Sequence, residues 1–258
     1  MKISTWNINS IKIRLESLIE LLKENDLDYI CLQETKIKDE YFPKDEIEKL
    51  KYNVYYSGEG GKNGVAIISK KIGSFEKIGF LDGEEDLERR LISVKFDNFY
   101  LISVYVPLGG AKDSERFYYK LKFFDRLKRY FNRFYSKDEK IILCGDFNIA
   151  LNDIDVYDKN ELQGEVGFLD EEREKLKDFL KWGFYDSFRI KYKDRKEFSW
   201  WDYRWDSYEK NKGMRIDYIF ITEPLINELE DIYFLKNFRE KEKPSDHIPV
   251  IALFKDIS

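Results

Sequence analysis

"KIILCGDFNIA", Lys140–Ala150, sets an apolar run against a polar tip: Ile141-Ile142-Leu143-Cys144 reads as a buried strand, and Asp146 and Asn148 follow it directly. "TWNIN" at Thr5–Asn9 ends the apolar segment Lys2–Ile8 in a similar way, and both stretches read aromatic-Asn-Ile. A three-residue echo is slight. It fits two half-domains of similar build, each placing an asparagine at a strand end. Working outward, apolar or alternating runs predict further strands at Tyr29–Gln33, Val54–Ser57, Val65–Ser69, Leu91–Phe96 and Tyr100–Val106. The same reasoning predicts strands at Lys140–Cys144, Phe198–Trp201, Ile216–Ile221 and Ile248–Phe254, with a glycine-rich turn at Gly60–Gly64. Ile11, Leu15, Leu18, Ile19 and Leu22 share one helical face. Ser114 predicts a cap for a helix from Glu115 to about Phe134, and Asp170 a cap for one reaching about Trp182, before Gly183. Strands outnumber helices, and the helices fall between groups of strands. The pattern implies two packed sheets with helices outside. No linker divides residues 1–258, so the expectation is a single domain.

Composition narrows the function classes. The chain has 258 residues, 43% hydrophobic and 37% charged, enough for a sizeable core. No apolar run is long enough to cross a bilayer, and Met1–Thr5 enters a strand-like segment rather than a signal peptide. A cytoplasmic, intracellular protein with no membrane association is expected. Cys31 and Cys144 sit far apart in apolar runs with no CxxC, which predicts buried free thiols rather than zinc ligands. A net charge of -5 argues against coating nucleic acid by bulk charge, though not against a local basic groove.

What stands at each strand end carries the chemistry. Asn7 belongs to the first strand, Glu34 follows the second, and Asp146 and Asn148 follow Lys140–Cys144. Asp217 lies inside the apolar "RIDYIF", and Asp246 and His247, the only histidine, precede the last strand. A single strand-end carboxylate is ordinarily just solvated. Asp217 is different, because an aspartate inside an apolar strand requires a partner. Five segments each offering a carboxylate or carboxamide, plus one imidazole, suggest convergence. Oxygen donors without thiolates select Mg²⁺, with Mn²⁺ as a substitute, and such a set suits phosphoester hydrolysis.

"TWNINS", "CLQETK", "VYVPLGG", "GDFNIA", "RIDYIF" and "SDHIPV", in this order, resemble the signature blocks of the exonuclease III family of apurinic/apyrimidinic endonucleases. "LNDIDVYD", "GFLDEERE", "YDSFR" and "FSWWDYR" match as well, so the resemblance covers essentially the whole chain. It implies an α+β fold, a four-layer αββα sandwich of two mostly antiparallel sheets flanked by helices. It also implies Glu34 with Asn7 as the principal metal site and Asp146 as the residue that activates or positions the attacking water. Asn148 would orient water or phosphate, Tyr105 would contact phosphate, and His247, oriented by Asp217, would touch the scissile phosphate. Asp246 belongs to the metal shell or positions it. With one metal or two described for the family, Asp146, Asn148 and His247 also count as candidate ligands. Other branches of the superfamily resemble one another in using two catalytic histidines; this chain has one, with Tyr105 where the second is expected.

Arg189–Arg215 holds nine Lys/Arg against five Asp/Glu with seven interleaved aromatics, the composition of a backbone-tracking groove with stacking rings. By resemblance, Trp200, Met214 and Ile216 line a pocket for a flipped abasic sugar, and Lys12 and Arg14 contact phosphate on the opposite bank. Three departures bear on substrate range. Met214 stands where many relatives have tryptophan, Leu108 where Asn or Gln usually follows Tyr-x-Pro, and Ser10 where glycine is common. The expected protein is a Mg²⁺-dependent DNA repair nuclease acting 5′ to abasic sites in duplex DNA, with 3′→5′ exonuclease or 3′-end-cleaning activity. Its partner is double-stranded DNA with abasic or damaged sites, with no obligate protein partner. The alternatives are another phosphodiesterase or phosphatase of the superfamily, or an inactive nucleic-acid-binding module.

Overall fold

The structure is a computed structural model and describes residues 1–84, 88–255 and 257. One sheet contains β1 (Lys2–Asn7), β2 (Tyr29–Gln33), β3 (Asn53–Ser57), β4 (Val65–Ser69), β11 (Leu229–Phe234) and β12 (Val250–Phe254), in the order β11-β12-β1-β2-β4-β3. The other contains β5 (Phe75–Ile78), β6 (Leu91–Phe96), β7 (Phe99–Tyr105), β8 (Ile141–Asp146), β9 (Phe184–Asp186) and β10 (Asp217–Thr222), in the order β5-β6-β7-β8-β10-β9. Each sheet has one parallel pair near its middle, β1 with β2 and β7 with β8; every other pairing is antiparallel.

The parallel pairs explain the outer layers. A parallel connection needs a crossover, here supplied by helix α1 (Ile11–Asn25) between β1 and β2 and helix α2 (Glu115–Phe134) between β7 and β8. Helix α3 (Asp170–Leu180) packs beside α2. Leu18, Leu21 and Leu22 of α1 cover Trp6, Ile30 and Leu32. Phe123, Leu127 and Phe131 of α2 cover Ile141, Leu143 and Phe220, with Leu176 and Phe179 of α3 in the same cluster. Between the sheets lie Ile3, Cys31, Leu101, Ile142, Cys144 and Ile219. This is the expected αββα sandwich, and truncating a fully buried leucine such as Leu143 would cost about 2–5 kcal/mol.

Side-chain alternation then places the site. Ile3 and Thr5, Cys31, Leu101, Cys144 and Ile219 mark the inner faces of their strands, so with a period of two Asn7, Gln33, Tyr105, Asp146 and Asp217 also project between the sheets. Gln33 caps the apolar core with a polar layer, bonding Thr5 at 3.1 Å and Ser103 at 3.0 Å.

Three expectations need correction. Phe198–Trp201 is not a strand: Trp200 makes only isolated bridges to Met214 and His247, because this segment crosses the edge of the site rather than joining a sheet. Asp170 is the first helical residue of α3, with Leu169 at the cap position and no side-chain cap bond. Ser114 does cap α2, accepting from the Phe117 amide at 3.1 Å. The strands β5, β9 and β11 add to those that the apolar pattern predicts; all three are edge strands, where one face and one rim lack apolar neighbours.

Candidate active site

Two strand ends are built alike. At the end of β1 the Asn9 amide donates to Asn7 Oδ1 at 3.1 Å, and at the end of β8 the Asn148 amide donates to Asp146 Oδ1 at 2.8 Å. Asn9 and Asn148 both take left-handed backbone, φ 46° and 51°, which asparagine tolerates better than most residues. The sequence echo is therefore real but displaced by two residues: Asn7-Ile8-Asn9 corresponds to Asp146-Phe147-Asn148. Asn7 joins the two corners by donating its amide to Glu34 Oε1 at 2.8 Å and to Asp146 Oδ2 at 2.9 Å.

Around Asp146 the site holds a buried proton system. His247 Nδ1 lies 2.8 Å from Asp217 Oδ2, and its Nε2 lies 3.7 Å from Asp146 Oδ2. Ser199 Oγ accepts from the Ile216 and Asp217 amides, fixing where β10 begins, and Ser245 accepts from the His247 amide at 3.2 Å. Burial disfavours a charged imidazole, but Asp217 and Asp146 outweigh it and push His247 up to about 10. Burial likewise raises Asp146, to about 7, against the pull of His247. At neutral pH the His247 imidazolium thus faces an Asp146 carboxyl that is about half ionised and ready to exchange a proton. Asp217 Oδ1 has no hydrogen-bond partner although it is buried.

The Glu34 side has a different composition. Glu34 and Lys36 both sit at φ 51°, a conformation costing roughly 1–3 kcal/mol per residue. Backbone bonds impose it: Ser10 and Ile11 amides donate to Glu34 and Thr35 carbonyls, and the Thr35 and Lys36 amides donate to Gly64 and Asn63. Lys36 Nζ lies 2.8 Å from Glu34 Oε2 and 2.6 Å from Asn9 Oδ1. Asn9 Nδ2 continues the chain to Asp246 Oδ1 at 2.9 Å, and Trp200 Nε1 donates to Asp246 Oδ2 at 3.0 Å. Burial raises Glu34, but Lys36 and Asn7 reverse that and hold it below the usual carboxylate range. Asp246 is lowered in the same way, burial being overcome by His247 and by its bonds to Trp200 and Asn9. Tyr105 is pushed up by burial and by the Glu34 and Asp146 charges, so it stays a neutral O–H donor.

These groups open into one cleft of about 170 Å³. Glu34, Tyr105, Asn148, Asp246 and His247 form its polar side; Trp200, Met214, Ile216, Leu108 and Val166 form the apolar side. Met214 and Ile216 belong to a satellite cluster with Val156 and Phe168. They are anchored by the buried Arg215, which bonds Asp155 at 2.7 Å and Asp186 at 2.7 Å. Behind the cleft the fully buried Lys120 pairs with Glu172 at 2.8 Å and donates to the carbonyls of Asn148 and Leu108, while Glu172 accepts from the Gly167 amide.

The two expected phosphate contacts lie elsewhere. Arg14 is buried and spent as a strut, donating to the carbonyls of Asn9, Lys243 and Pro244 and to the Tyr203 hydroxyl, so its guanidinium is not presented to a ligand. Lys12 is exposed, in a separate hollow with Glu16, Glu20 and Lys241. Asn9, Lys36, Lys120 and Glu172 join the site without having been expected there. Asn9 carries a signal in the sequence, since it is the true partner of Asn148 in the echo. Lys120 carries none, because a lysine on an amphipathic helix ordinarily reads as solvated.

Whether these residues suit a metal ion follows from the donors. Asp146, Asp217 and His247 offer ligand atoms within 4.8 Å of one another, a possible acidic/histidine metal site. The Glu34–Asn9–Asp246 side offers oxygen donors only, and the Lys36 ammonium already sits there between two of them. Both thiols are buried in the core, away from either set. The residues fit a metal ion held by carboxylates and an imidazole, without thiolates.

A family model described as the Endonuclease/Exonuclease/phosphatase family matches residues 4–247. The chain is 34% identical to exodeoxyribonuclease III of Haemophilus influenzae, with 99% of this chain and 100% of that protein covered. Among solved structures it is similar to an AP endonuclease from Archaeoglobus fulgidus, with 38% identity, 99% of each chain covered and a TM-score of 0.96. It is also similar to a 3′ phosphatase from Neisseria bound to product DNA hairpin, with 33% identity, 99% of each chain covered and a TM-score of 0.94. On sequence, fold and the placing of its site together, the chain belongs to the endonuclease/exonuclease/phosphatase family, among its exodeoxyribonuclease III and AP endonuclease members.

Proposed function

We propose that this protein is a Mg²⁺-dependent DNA repair nuclease that hydrolyses the phosphodiester 5′ to an abasic site in duplex DNA. It leaves a 3′-hydroxyl and also cleans or degrades 3′ ends. One observation carries the reading: His247, Asp217 and Asp146 form a buried proton system beside Glu34, at the mouth of an apolar pocket. In this mechanism Asp146, held by Asn7 and the Asn148 amide, takes the proton of the attacking water. Asn148 orients the water. The His247 imidazolium, kept charged by Asp217, donates to a phosphate oxygen as negative charge develops, and the neutral Tyr105 hydroxyl supplies a second donor. Glu34, Asn9 and Asp246 would hold the metal ion, with Asn7 bracing Glu34. A Mg²⁺ or Mn²⁺ ion bound there would supply Lewis-acid neutralisation of phosphate charge. Trp200, Met214 and Ile216 suit a sugar without a base, whose extrusion from the duplex is cheap.

Residues 1–258 would form one catalytic domain, supported by the pairing of β1 with β12 from opposite ends of the chain. Among the described residues no helix is long and apolar enough to cross a membrane. The deciding experiment incubates a synthetic abasic duplex with the purified protein in Mg²⁺ and in EDTA. Nicking 5′ to the lesion in Mg²⁺ alone is expected; equal nicking in both, or none in either, rejects the reading.

A further inference from the structure

Beside the catalytic cleft lies a second hollow of about 250 Å³ that the mechanism does not use, with Leu108 as a wall common to both. Among the described residues, its charged lining is Lys62, Arg90 and Arg116 against the single carboxylate of Glu88. Glu88 is itself neutralised, accepting from Arg90 Nε at 2.5 Å and from the Tyr119 hydroxyl at 2.6 Å. The exposed Lys62 and Arg116 therefore leave an excess of positive charge at the rim. Asn63 also lines the hollow, 6% exposed, and its side-chain Nδ2 is buried without a hydrogen-bond partner. A buried donor with no acceptor is rare in a folded protein and marks a place where an acceptor belongs. Asn63 is held there by its own backbone, at φ 54°, whose carbonyl accepts from the Lys36 amide at 2.9 Å. The hollow is thus coupled to the Glu34 loop. Arg90 links it to the other side of the cleft, stacking 4.6 Å from the Tyr105 ring centre and donating to the Tyr105 carbonyl at 3.2 Å. Residue 108 contributes no polar side chain, being a leucine that is 58% exposed.

We propose that this hollow is a phosphate-binding subsite, formed by Asn63, Lys62 and Arg116, that takes the backbone phosphate next to the one held in the catalytic cleft. The acceptor-only, doubly contacted oxygens of a phosphate match an unpartnered amide donor flanked by two exposed cations. The subsite fixes the register of the strand. The inference rests on the nuclease reading above, and binding measured in EDTA tests it without relying on cleavage.

The experiment measures binding of an abasic duplex by fluorescence anisotropy in EDTA, with each phosphate near the lesion replaced singly by a neutral methylphosphonate. Wild type is expected to lose about tenfold in affinity at one flanking position, the effect of losing one charge-assisted contact. Asn63→Asp, which tolerates the same backbone and repels phosphate, is expected to bind native DNA about tenfold more weakly and to become insensitive at that same position. Arg116→Glu is expected to weaken binding and flatten its salt dependence by about one ion. Unchanged melting temperatures establish that both variants fold. Identical affinities and identical methylphosphonate profiles for wild type and Asn63→Asp overturn the subsite. A third arm titrates inorganic phosphate. If phosphate displaces DNA from wild type but not from Asn63→Asp, while no single methylphosphonate matters, the hollow takes free phosphate and the strand assignment falls. Absence of Mg²⁺-dependent nicking by wild type, with the binding pattern intact, sinks the nuclease reading and leaves the subsite standing.

Discussion

The corner after β1 and the corner after β8 share a backbone and differ in charge. In each, the amide two residues on donates to the strand-end side chain, and the donor residue takes left-handed backbone, φ 46° at Asn9 and 51° at Asn148. The β1 corner carries carboxamides, Asn7 and Asn9, and borrows its charges from Glu34, Lys36 and Asp246. The β8 corner carries its own carboxylate, Asp146, and faces the Asp217-held imidazole. The same turn serves two sides of one site: one corner gathers oxygen donors, the other sets a carboxyl group against an imidazole. A duplicated backbone frame leaves the chemistry to single side chains.

Erasing the difference should have the largest effect. Asp146→Asn makes the β8 corner a chemical copy of the β1 corner, keeping the bond from the Asn148 amide while removing the proton acceptor. Turnover on an abasic duplex is expected to fall by about 10³–10⁴-fold with the melting temperature nearly unchanged, a loss typical of a removed general base. Wild-type turnover in this variant would break the comparison outright. Next, His247→Asn should lower turnover by roughly 10²–10³-fold, since it withdraws a charged donor from the developing phosphate charge. Unchanged turnover with a raised KM would show that His247 only binds.

The proton system also predicts a pH dependence of stability in chelated protein. Folded His247 titrates at about 10 against 6.5 for an unperturbed histidine, so its contribution is complete below about pH 6.5 and disappears as pH rises through 10. The loss across that window is on the order of a few kcal/mol, at about 1.4 kcal/mol per pH unit of displacement. Denaturant melts should therefore show wild type weakening between these limits more steeply than His247→Asn; parallel slopes would remove the imidazolium. The smallest effect belongs to the β1 corner. Asn9→Asp gives that corner its own carboxylate, and calorimetry with Mn²⁺ should show binding about tenfold tighter, because affinity for a hard cation rises with ligand charge. Unchanged or weaker binding would place the ion elsewhere, on the Asp146 side.

Much of this frame is legible in the order of residues alone. The runs Tyr29–Gln33 and Val65–Ser69 are strands with those same limits, and the helix Glu115–Phe134 begins at the residue that Ser114 caps. These segments combine a clear period with a local stop signal, so tertiary context has little to add. The edge strand β11 is not legible, because "LEDIYF" lacks a buried run on both faces. Phe198–Trp201 resembles a strand because aromatic residues favour strands and pocket walls alike. Among site residues, Asn7, Glu34, Tyr105, Asn148, Asp246 and His247 do meet in or beside one cleft, as do Trp200, Met214 and Ile216. Arg14 does not, because a guanidinium near a strand end serves equally well as a phosphate contact or as a tie between backbone carbonyls. Only its partners distinguish the two.

The sequence by itself determined the central strands, the crossover helices and the polar residues at the strand ends, because these depend on spacing along the chain and on the alternation of side chains. It also carried the family, through ordered motifs that no rearrangement in space could alter. The tertiary structure alone decided which polar groups were spent on holding the protein together and which faced the cleft. Arg14, Lys120 and Arg215 look as available in sequence as Lys36 or Lys62, yet their charges are consumed by partners far along the chain. The reason is physical: the fate of a charge depends on distances over a few ångströms and on exclusion of water, and neither is a property of position in the polymer.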